Sequence, residues 1–426
     1  MKTVLSTVEA GICCSCGVCK GVCPKNCITF RREDGLFLPV IDESACVECG
    51  LCAAVCPGLG HPYAPKATAE ETITGEVLDC VNAWSLDAKK RHVSASGGVI
   101  STLIPALLEQ GRYDGAFCLD SYDYRSQLKT RLYTPAEAAH WADSNAPKSR
   151  YLPVSQEETV RTIREKPHLR LIIVGTSCAL RGIEAVIRKL NRDRENYLLI
   201  GLFCDKVFNY NAISFWQDRY CGGAALEKLH FKNKESGGWP GDMKFFPENA
   251  ESFYVPLNER ARMKRYFMME RCLYCVDKLN VLADISLGDN YTQTASSPLG
   301  SNSVILRTER GREAWTAAEG LLETVPVTLA EIQKAQGLPL RLPNLYYGDL
   351  KGGDLNPGVP REKAAQELTK AYADELRRLR SGAVYHRDPT VLEKQLKADN
   401  KKPNPVISFL RRGLRFIKRK LLRKCP

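Results

Sequence analysis

Residues 13–24 read CCSCGVCKGVCP and residues 46–57 read CVECGLCAAVCP, and the rest of the chain is organised around these two stretches. In each, four cysteines are separated by two, two and three residues, and proline follows the last. The stretches are offset by 33 residues (46 − 13), so the pattern is a repeat. Three closely spaced cysteines can surround one side of a 4Fe–4S cube, and each cube takes its fourth ligand from the other stretch. The sequence therefore predicts two such clusters.

This crossed pattern divides the eight cysteines into two sets of ligands. The first cysteine set is Cys13, Cys16, Cys19 and Cys56, and the second cysteine set is Cys23, Cys46, Cys49 and Cys52. A zinc site and disulfides are the alternatives, but zinc needs only four thiolates and has no use for the repeated spacing. Cys14 and Cys27 do not fit the spacing, and we interpret them as packing residues. The first ~60 residues resemble a bacterial two-cluster ferredoxin.

Length and composition indicate a globular protein of several domains. A chain of 426 residues corresponds to about three domains. Its hydrophobic content of 44% and charged content of 26% are ordinary, so the remainder can form a core. We expect a cytoplasmic protein, because no secretory signal is visible and thiolate clusters suit a reducing compartment. The sequence contains no apolar run of about 18 residues, so nothing is expected to span a bilayer.

Two apolar stretches in the middle of the chain predict a β-α-β unit. Leu169–Val174 and Tyr197–Phe203 are typical of strands buried on both faces, and a stretch with helical spacing separates them. Because such strands run parallel, Cys178 and Cys204, which follow them, should meet at one sheet edge. A later C-x2-C pair could complete a third 4Fe–4S site, with zinc or free thiols as the alternatives. The third cysteine set is therefore Cys178, Cys204, Cys272 and Cys275. Four cysteines are expected to bind nothing: Cys80, Cys118, Cys221 and Cys425.

Two polar stretches are candidate anion sites. Ser94–Gly98 precedes a helical pattern, and small residues there would let backbone N–H groups approach a phosphate. The alternative is an ordinary serine cap. The loop Asn145–Tyr151 carries Lys148 and Arg150, and its alternative interpretation is a solvated surface loop.

The positive charge of the chain is concentrated at its end. The net charge is +12, and residues 404–426 contain eight Lys or Arg and no acid, which leaves +4 for the rest. Apolar residues there share one helical face, as in basic helices that bind an anionic membrane surface. The alternative is a tail that docks on the body or stays disordered. No nucleic-acid partner is expected, because no known reading module accompanies the tail.

Five motifs between residues 80 and 300 carry a resemblance to a family. They are Ser94–Gly98, Val174–Cys178, Gly201–Cys204, Gly237–Trp239 and Cys272–Asp289. In content and order they resemble the family of coenzyme F-420 hydrogenase/dehydrogenase beta subunits. The resemblance implies bound FAD, an additional iron–sulfur cluster, and electron transfer between a reduced deazaflavin or similar donor and iron–sulfur partners. It also implies that Ser96, Gly97, Gly98 and Lys148 lie beside the flavin.

Some positions depart from the family pattern. The family usually has proline where Ser177 precedes Cys178, His-Gly where this chain has Asp205-Lys206, and Phe-Trp where it has Asn290-Tyr291. These changes leave the electron donor open, including coenzyme F-420. Bacterial relatives with an N-terminal ferredoxin often accompany polysaccharide genes, which is a second possible context.

Taken together, the sequence predicts an α+β multidomain protein. We expect a ferredoxin-like domain over 1–66, an α/β flavin domain with parallel strands over 67–350, a helical extension over 351–400 and a basic amphipathic tail over 401–426. The expected function is an iron–sulfur flavoprotein oxidoreductase with a redox partner protein or a small-molecule electron donor. The alternative is a non-catalytic electron-carrier or docking subunit without flavin. No catalytic side chain is assigned.

Overall fold

The computed structural model describes residues 3–59, 69–119, 122–143, 148–341 and 361–400. The tail predicted for residues 401–426 lies outside the described residues. No helix within the described ranges combines the length and the apolar character needed to cross a bilayer.

The N-terminal domain consists of three short helices and a hairpin. The sequence predicts short strands over residues 28–30 and 36–38, with a turn at Asp34 and Gly35 between them. These strands pair antiparallel, and the φ angles of Asp34 and Gly35, 51° and 73°, suit a tight two-residue turn. The prediction of this hairpin is confirmed. The elements are α1 (Leu5–Glu9), α2 (Val18–Val22), β1 (Ile28–Glu33), β2 (Leu36–Ile41) and α3 (Leu51–Ala54).

An eight-stranded mixed sheet forms the centre of the molecule, with the order β13-β3-β12-β11-β7-β6-β4-β5. Its strands are β3 (Asp79–Ser85), β4 (Gly115–Leu119), β5 (Thr130–Tyr133), β6 (Leu171–Thr176), β7 (Tyr197–Leu202), β11 (Ile285–Asp289), β12 (Asn302–Leu306) and β13 (Leu322–Pro326). Among the described strands of this sheet, the neighbouring pairs that are parallel are β11–β7, β7–β6 and β6–β4. The fold is therefore multidomain α/β with a mixed sheet, in which antiparallel strands flank the parallel strands that the sequence predicted. The reason is that β5 and β12 each follow a neighbour without a crossover helix and so pair antiparallel.

The predicted β-α-β unit is confirmed, with one correction. Strands β6 and β7 are parallel and are joined through α9 (Ser177–Lys189). The sequence suggested a turn at residues 175–178, but Gly175 and Thr176 still belong to the strand and Cys178 lies in the first turn of α9. The consequence for the site is unchanged, because Cys178 and Cys204 each follow the last residue of a parallel strand by two positions.

Helices cover both faces of the sheet, and side chains alternate between two cores. Ile172 and Leu198 pack with α6 (Val99–Glu109), whereas Ile173 and Leu199 pack with α9. The α9 core also includes three valines of the N-terminal domain: Val18, Val22 and Val55. The cluster domain is therefore part of the same hydrophobic core as the sheet. The other helices near the sheet are α4 (Ala69–Thr74), α5 (Ala88–Val93), α7 (Pro135–Asp143), α8 (Glu157–Glu165), α12 (Glu309–Thr316) and α13 (Leu329–Ala335).

A second, three-stranded sheet was not predicted from the sequence. Strands β8 (Leu226–Asn233), β9 (Asp242–Pro247) and β10 (Phe253–Val255) pair antiparallel in the order β10-β9-β8. They share an aromatic core with α10 (Asn211–Tyr220) and α11 (Leu257–Phe267). Two further helices follow, α14 (Arg361–Ala383) and α15 (Pro389–Asn400), and Leu392 and Leu396 of α15 join the same core.

Candidate functional site

The repeated cysteine spacing folds into a repeated backbone conformation. Ser15 and Gly17 have φ angles of 50° and 75°, and the equivalent residues Glu48 and Gly50 have φ angles of 51° and 69°. Left-handed residues bend the chain sharply, which lets neighbouring cysteines approach one centre. Gly17 and Gly50 then stand at the start of α2 and α3.

The structure brings the first cysteine set together. Burial raises the pKa of the Cys13 thiol to about 12, and the Cys56 thiol adds to the increase. The pKa of Cys16 is also raised, by burial and then by Cys56, and that of Cys19 by burial and then by Cys16 and Cys13. The four thiols therefore lie within electrostatic range of one another, although Cys56 comes from the other stretch.

Backbone N–H groups bond to sulfurs of this set. The amide of Ser15 donates to Cys13 Sγ over 3.4 Å. Burial raises the pKa of Cys56, while hydrogen bonds from the backbone of Gly58 and Leu59 act in the opposite direction. Such bonds stabilise the thiolate, which is the form that binds iron, and hydrogen bonds to the sulfurs tune a cluster's potential.

The second cysteine set lines a cavity together with Cys27: Cys23, Cys46, Cys49 and Cys52. Cys27 Sγ lies 3.4 Å from Cys23 Sγ, and burial, followed by Cys23 and Cys46, raises the Cys27 pKa to about 12. Cys27 is buried in the small core of this domain, as expected for a packing residue, but it also borders the cavity. Cys49 is exposed, so this set reaches solvent.

The third cysteine set also converges, from three separate parts of the chain. Burial, and then Cys272, Cys178 and Cys275, raise the pKa of Cys204 well above its usual value. Burial raises the pKa of Cys272 to about 12, and Cys275 and Cys178 contribute to this. The parallel strands therefore place Cys178 and Cys204 beside the C-x2-C pair, as the β-α-β interpretation required.

The first cysteine set is near both of the other sets. Cys52 of the second set contributes to the raised pKa of Cys19 in the first. At the other end, Cys178 of the third set contributes to the raised pKa of Cys16 in the first. The first set therefore stands between the other two.

The pKa of Cys178 is lowered to about 6, whereas the pKa values of Cys204 and Cys272 in the same set are raised. The largest cause is a hydrogen bond from Cys14; burial opposes the shift, and Thr176 and the cation Arg271 support it. Cys14 is fully buried, as a packing residue should be, yet it contacts a predicted ligand of another domain. Its position beside Cys13 gave no sequence signal for this contact.

Within the described residues, no group of three or more His, Cys, Asp or Glu side chains is arranged to hold a single metal ion. A zinc ion requires four sulfurs each about 2.3 Å from one point. A cube instead takes one thiolate for each of its four irons, so its sulfurs lie further apart. The donor chemistry of the three sets, thiols with N–H groups directed at several of them, fits a cluster.

The loop after Cys204 is fixed by a buried cation that the sequence did not reveal. Arg341 donates to the Asp205 carboxylate over 2.7 Å and to the carbonyl oxygen of Cys275 over 3.0 Å. Burial would raise the pKa of Asp205, but Lys264 and Arg341 hold it well below its usual value. Asp205, one of the departures from the family pattern, therefore stays charged and links the two cysteine-bearing loops.

The predicted flavin turn packs tightly against the sheet. A side chain on Gly97 would come within 2.7 Å of the Ala83 carbonyl oxygen, and Gly98, with φ of 83°, starts α6 without a side-chain cap. The hydroxyl of Ser96 donates to the Ser301 carbonyl oxygen over 2.6 Å. The alternative interpretation of a serine cap is therefore wrong for Ser96, because the residue at the cap position of α6 is Gly98.

Lys148 lies in a buried cationic site, so the alternative of a solvated loop is wrong for it. Burial lowers the pKa of Lys148 to about 8, with Arg150 acting in the same direction and Glu235 opposing. Burial and then Lys148 lower the pKa of Lys234 to about 7. We define the cationic site as Lys148, Arg150, Lys228, His230, Lys232 and Lys234.

Two acids within this site are already engaged. Lys232 forms an ion pair with Asp289, and Lys244 contacts Glu235 over 2.6 Å. Burial, then Lys148 and Lys228, lower the pKa of His230 to about 3, so its imidazole is neutral. Buried positive charge is costly unless it is paired. The site is therefore suited to an anion with more than one negative charge.

The cationic site and the third cysteine set share the carboxyl edge of the parallel strands. Asp289 ends β11, which neighbours β7, and its carboxylate pairs with Lys232 of the cationic site. Lys234 donates to the Ser96 carbonyl oxygen over 2.6 Å. A side chain on Gly288 would come within 2.5 Å of Phe203 Cβ, directly before Cys204. This edge is where open α/β sheets bind ligands.

Comparison with known families decides what kind of chain carries this site. Residues 80–156 match the N-terminal model, and residues 168–329 the C-terminal model, of the coenzyme F420 hydrogenase/dehydrogenase beta subunit. The chain belongs to this family of beta subunits. Residues 12–58 match the 4Fe-4S dicluster domain. In this family member, the first two cysteine sets therefore form an iron–sulfur domain, which confirms the resemblance inferred from the motifs.

The chain is similar to several named proteins. It is 23% identical to a component of the F(420)H(2) dehydrogenase of Methanosarcina mazei, over 75% of this chain and 86% of that protein. It is 26% identical to the coenzyme F420-dependent sulfite reductase of Methanocaldococcus jannaschii, over 78% of this chain but only 50% of that protein. A chain of the F420-reducing [NiFe] hydrogenase complex from Methanosarcina barkeri matches 67% of this chain and 98% of its own length, at 22% identity and a TM-score of 0.49.

Proposed function

We propose that the chain is an iron–sulfur flavoprotein oxidoreductase, which moves electrons between a two-electron reactant and one-electron carriers. The observation that carries this proposal is the arrangement of the three cysteine sets. The first set is near both of the others, and the third set lies at the same sheet edge as the cationic site. FAD exchanges electron pairs with a donor and single electrons with 4Fe–4S clusters.

In this proposal each cysteine set holds one cluster. The first and second sets are the crossed ligands of the dicluster domain, and the third set holds a third 4Fe–4S cluster. The third set supports this role, because Cys178, Cys272 and Cys275 all act on the Cys204 thiol and the pKa of Cys178 is lowered to about 6. A thiolate that forms near neutral pH is ready to bind iron.

The residues around the turn before α6 are the proposed flavin-binding residues. Ser96, Gly97 and Gly98 bring the backbone and the helix N-terminus to the site, and Lys148 and Lys234 supply positive charge. A pyrophosphate carries two negative charges and would offset the buried excess of cations. The proposed flavin would thus lie at the edge where Cys204 emerges from β7.

The relatives supply the proposed electron donor and partner. The names of the Methanosarcina mazei and Methanocaldococcus jannaschii relatives both refer to F420, and the first of them is a component of a dehydrogenase. By this analogy, the donor or acceptor at the flavin is a deazaflavin of the F420 kind, and electrons leave through the exposed second cysteine set to another protein. The departures at Asp205 and Asn290 leave room for a different donor, including one used in polysaccharide biosynthesis.

The test is to load the anaerobically purified chain with iron, sulfide and FAD and then add reduced coenzyme F420. We expect about one FAD per chain, and bleaching of the cluster absorbance only when FAD is present. Dithionite, a one-electron reductant, should bleach the clusters with or without FAD and serves as the control. Absence of FAD binding would favour the alternative of a carrier or docking subunit without flavin.

A further inference from the structure

A short 3-10 helix lies at the junction between the cluster domain and the sheet domain. It spans Glu270–Tyr274, and the amide of Met269 just before it donates to the Val207 carbonyl oxygen over 3.1 Å. A side chain on Gly11 would come within 3.2 Å of Glu270 Oε1. The segment that carries Cys272 of the third set therefore rests against the segment that leads into Cys13 of the first.

Arg271, in this 3-10 helix, reaches thiols of both domains. Its positive charge acts on Cys56 of the first set and on Cys178 and Cys272 of the third. It also acts on Cys14, which lies between them. Two other arginines, Arg181 and Arg341, act on the third set. Neither is among the main contributors to the pKa of Cys56.

The charge of Arg271 is not neutralised by a nearby acid. Within the described part of the chain Arg271 forms no ion pair, and its buried Nε has no hydrogen-bond partner. The adjacent carboxylate of Glu270 instead faces Arg380, at 3.8 Å. A guanidinium stays charged at any pH that a folded protein tolerates, so this charge is fixed.

We propose that Arg271 is a positioning residue shared by two clusters, and that its fixed charge raises the reduction potentials of the first and third clusters together. Each cluster gains one negative charge on reduction, and a nearby cation stabilises that form. A cation that acts on both clusters raises both potentials, so it changes the difference between them less than a cation beside one cluster would. The part that concerns the third cluster rests on the proposed function, whereas the part that concerns the first cluster does not.

The test is a redox titration of the full chain, followed by electron paramagnetic resonance, in wild type, Arg271→Gln and Arg271→Lys. In Arg271→Gln we expect the equilibrium constant for reduction of both clusters to fall at least about tenfold, which corresponds to ~59 mV for one electron. Arg271→Lys should restore most of the difference. The second cluster, which Arg271 does not reach, should keep its potential in every variant.

Arg265→Gln is the matched control, because Arg265 is an exposed arginine on the adjacent helix α11. It should leave all potentials unchanged. Unchanged potentials in Arg271→Gln with iron retained would overturn the proposal, and so would a shift confined to one cluster when the wild type holds three. If the wild type holds only two clusters, the third-cluster assignment fails, while the shift of the first cluster still tests Arg271.

If Arg271→Gln loses iron, Arg271→Met takes its place, since it fills the space with an apolar chain. Loss of iron from Arg271→Gln and Arg271→Met but not from Arg271→Lys would support the proposal, because the lysine variant keeps the positive charge and the other two do not. Loss of iron from all three variants would overturn it, because the arginine would then act through its shape.

Discussion

The thiols of Cys14 and Cys178 lie close enough to shift each other's pKa, and this proximity joins two parts of the chain that are distant in sequence. Cys14 stands beside a ligand of the first cluster, and Cys178 is a proposed ligand of the third. Nearby, Arg181 of α9 donates to the Pro57 carbonyl oxygen over 3.4 Å. The cluster domain is therefore docked by the residues that flank its own cysteines, which brings the first and third cysteine sets to one interface.

The crossed ligand pattern predicts which substitutions act on the same cluster. Cys13→Ser and Cys56→Ser should each remove the same electron paramagnetic resonance signal, because both thiols belong to the first set. Cys23→Ser should remove a different signal, which it shares with Cys49→Ser. Cys221→Ser, at a half-buried cysteine remote from the sets, is the control and should remove none. If Cys56→Ser and Cys49→Ser removed the same signal, the crossed assignment would be wrong.

The lowered lysine pKa values predict how an anion stabilises the chain at different pH. In the unfolded chain lysine has a pKa of 10.5, whereas the folded values are about 8 for Lys148 and about 7 for Lys234. At a pH between the folded and unfolded pKa values, the unfolded chain binds more protons than the folded chain. The free energy of unfolding therefore rises with pH when no anion is bound. Inorganic pyrophosphate binds the protonated site, so it should raise the melting temperature more at about pH 6.5 than at about pH 9.

Differential scanning fluorimetry measures this effect, with Lys148→Gln as the variant that should reduce the gain. Lys89→Gln, an exposed lysine on α5, should behave as wild type. An equal gain at both pH values, or one that persists in Lys148→Gln, would show that the cationic site does not bind the anion.

The close packing of the cluster domain against Gly182 of α9 predicts that one added methyl group lowers the stability of the chain. A side chain on Gly182 would come within 2.8 Å of Val18 Cγ2 and 3.3 Å of Pro57 Cδ. Gly182→Ala should therefore lower the free energy of unfolding by about 1–3 kcal/mol, the usual cost of overpacking. Urea denaturation measures this change, and Lys189→Ala, at the exposed end of the same helix, is the control. A Gly182→Ala variant as stable as wild type would mean that the two surfaces are not packed this closely.

The basic tail predicts binding to anionic membranes, on the evidence of the sequence alone. The full chain should pellet with vesicles that contain phosphatidylserine and should fail to do so after removal of residues 404–426. Vesicles of phosphatidylcholine alone are the control, because they offer no negative surface. Equal pelleting with and without the tail would reject this role for it.

The elements defined by local pattern were predictable from the sequence. The hairpin around Asp34 and Gly35 and the strands on either side of α9 follow from turn chemistry and from apolar runs. The convergence of Cys178 and Cys204 followed from those strands by geometry alone. The family resemblance, which rested on short motifs in order, is also confirmed.

The elements defined by long-range pairing were not predictable. β3 pairs with β12 across more than half of the described chain, and no local pattern indicates such a partner. Lys228, His230 and Lys232 of β8 alternate with apolar residues, which is typical of a strand with a solvated face, but His230 and Lys232 are buried and the alternation does not indicate this. The cationic site could therefore not be predicted from the sequence. The effect of the Arg271 charge on thiols of both domains could not be predicted either.

The most direct test of the central claim is the iron content of the anaerobically reconstituted wild-type chain and of Cys178→Ser. Three clusters of four irons predict about 12 iron atoms per wild-type chain and about 8 in the variant, because Cys178 belongs to the third set alone. About 8 iron atoms in both proteins would contradict the account. The third cysteine set would then hold no cluster, and the N-terminal domain would hold all the iron.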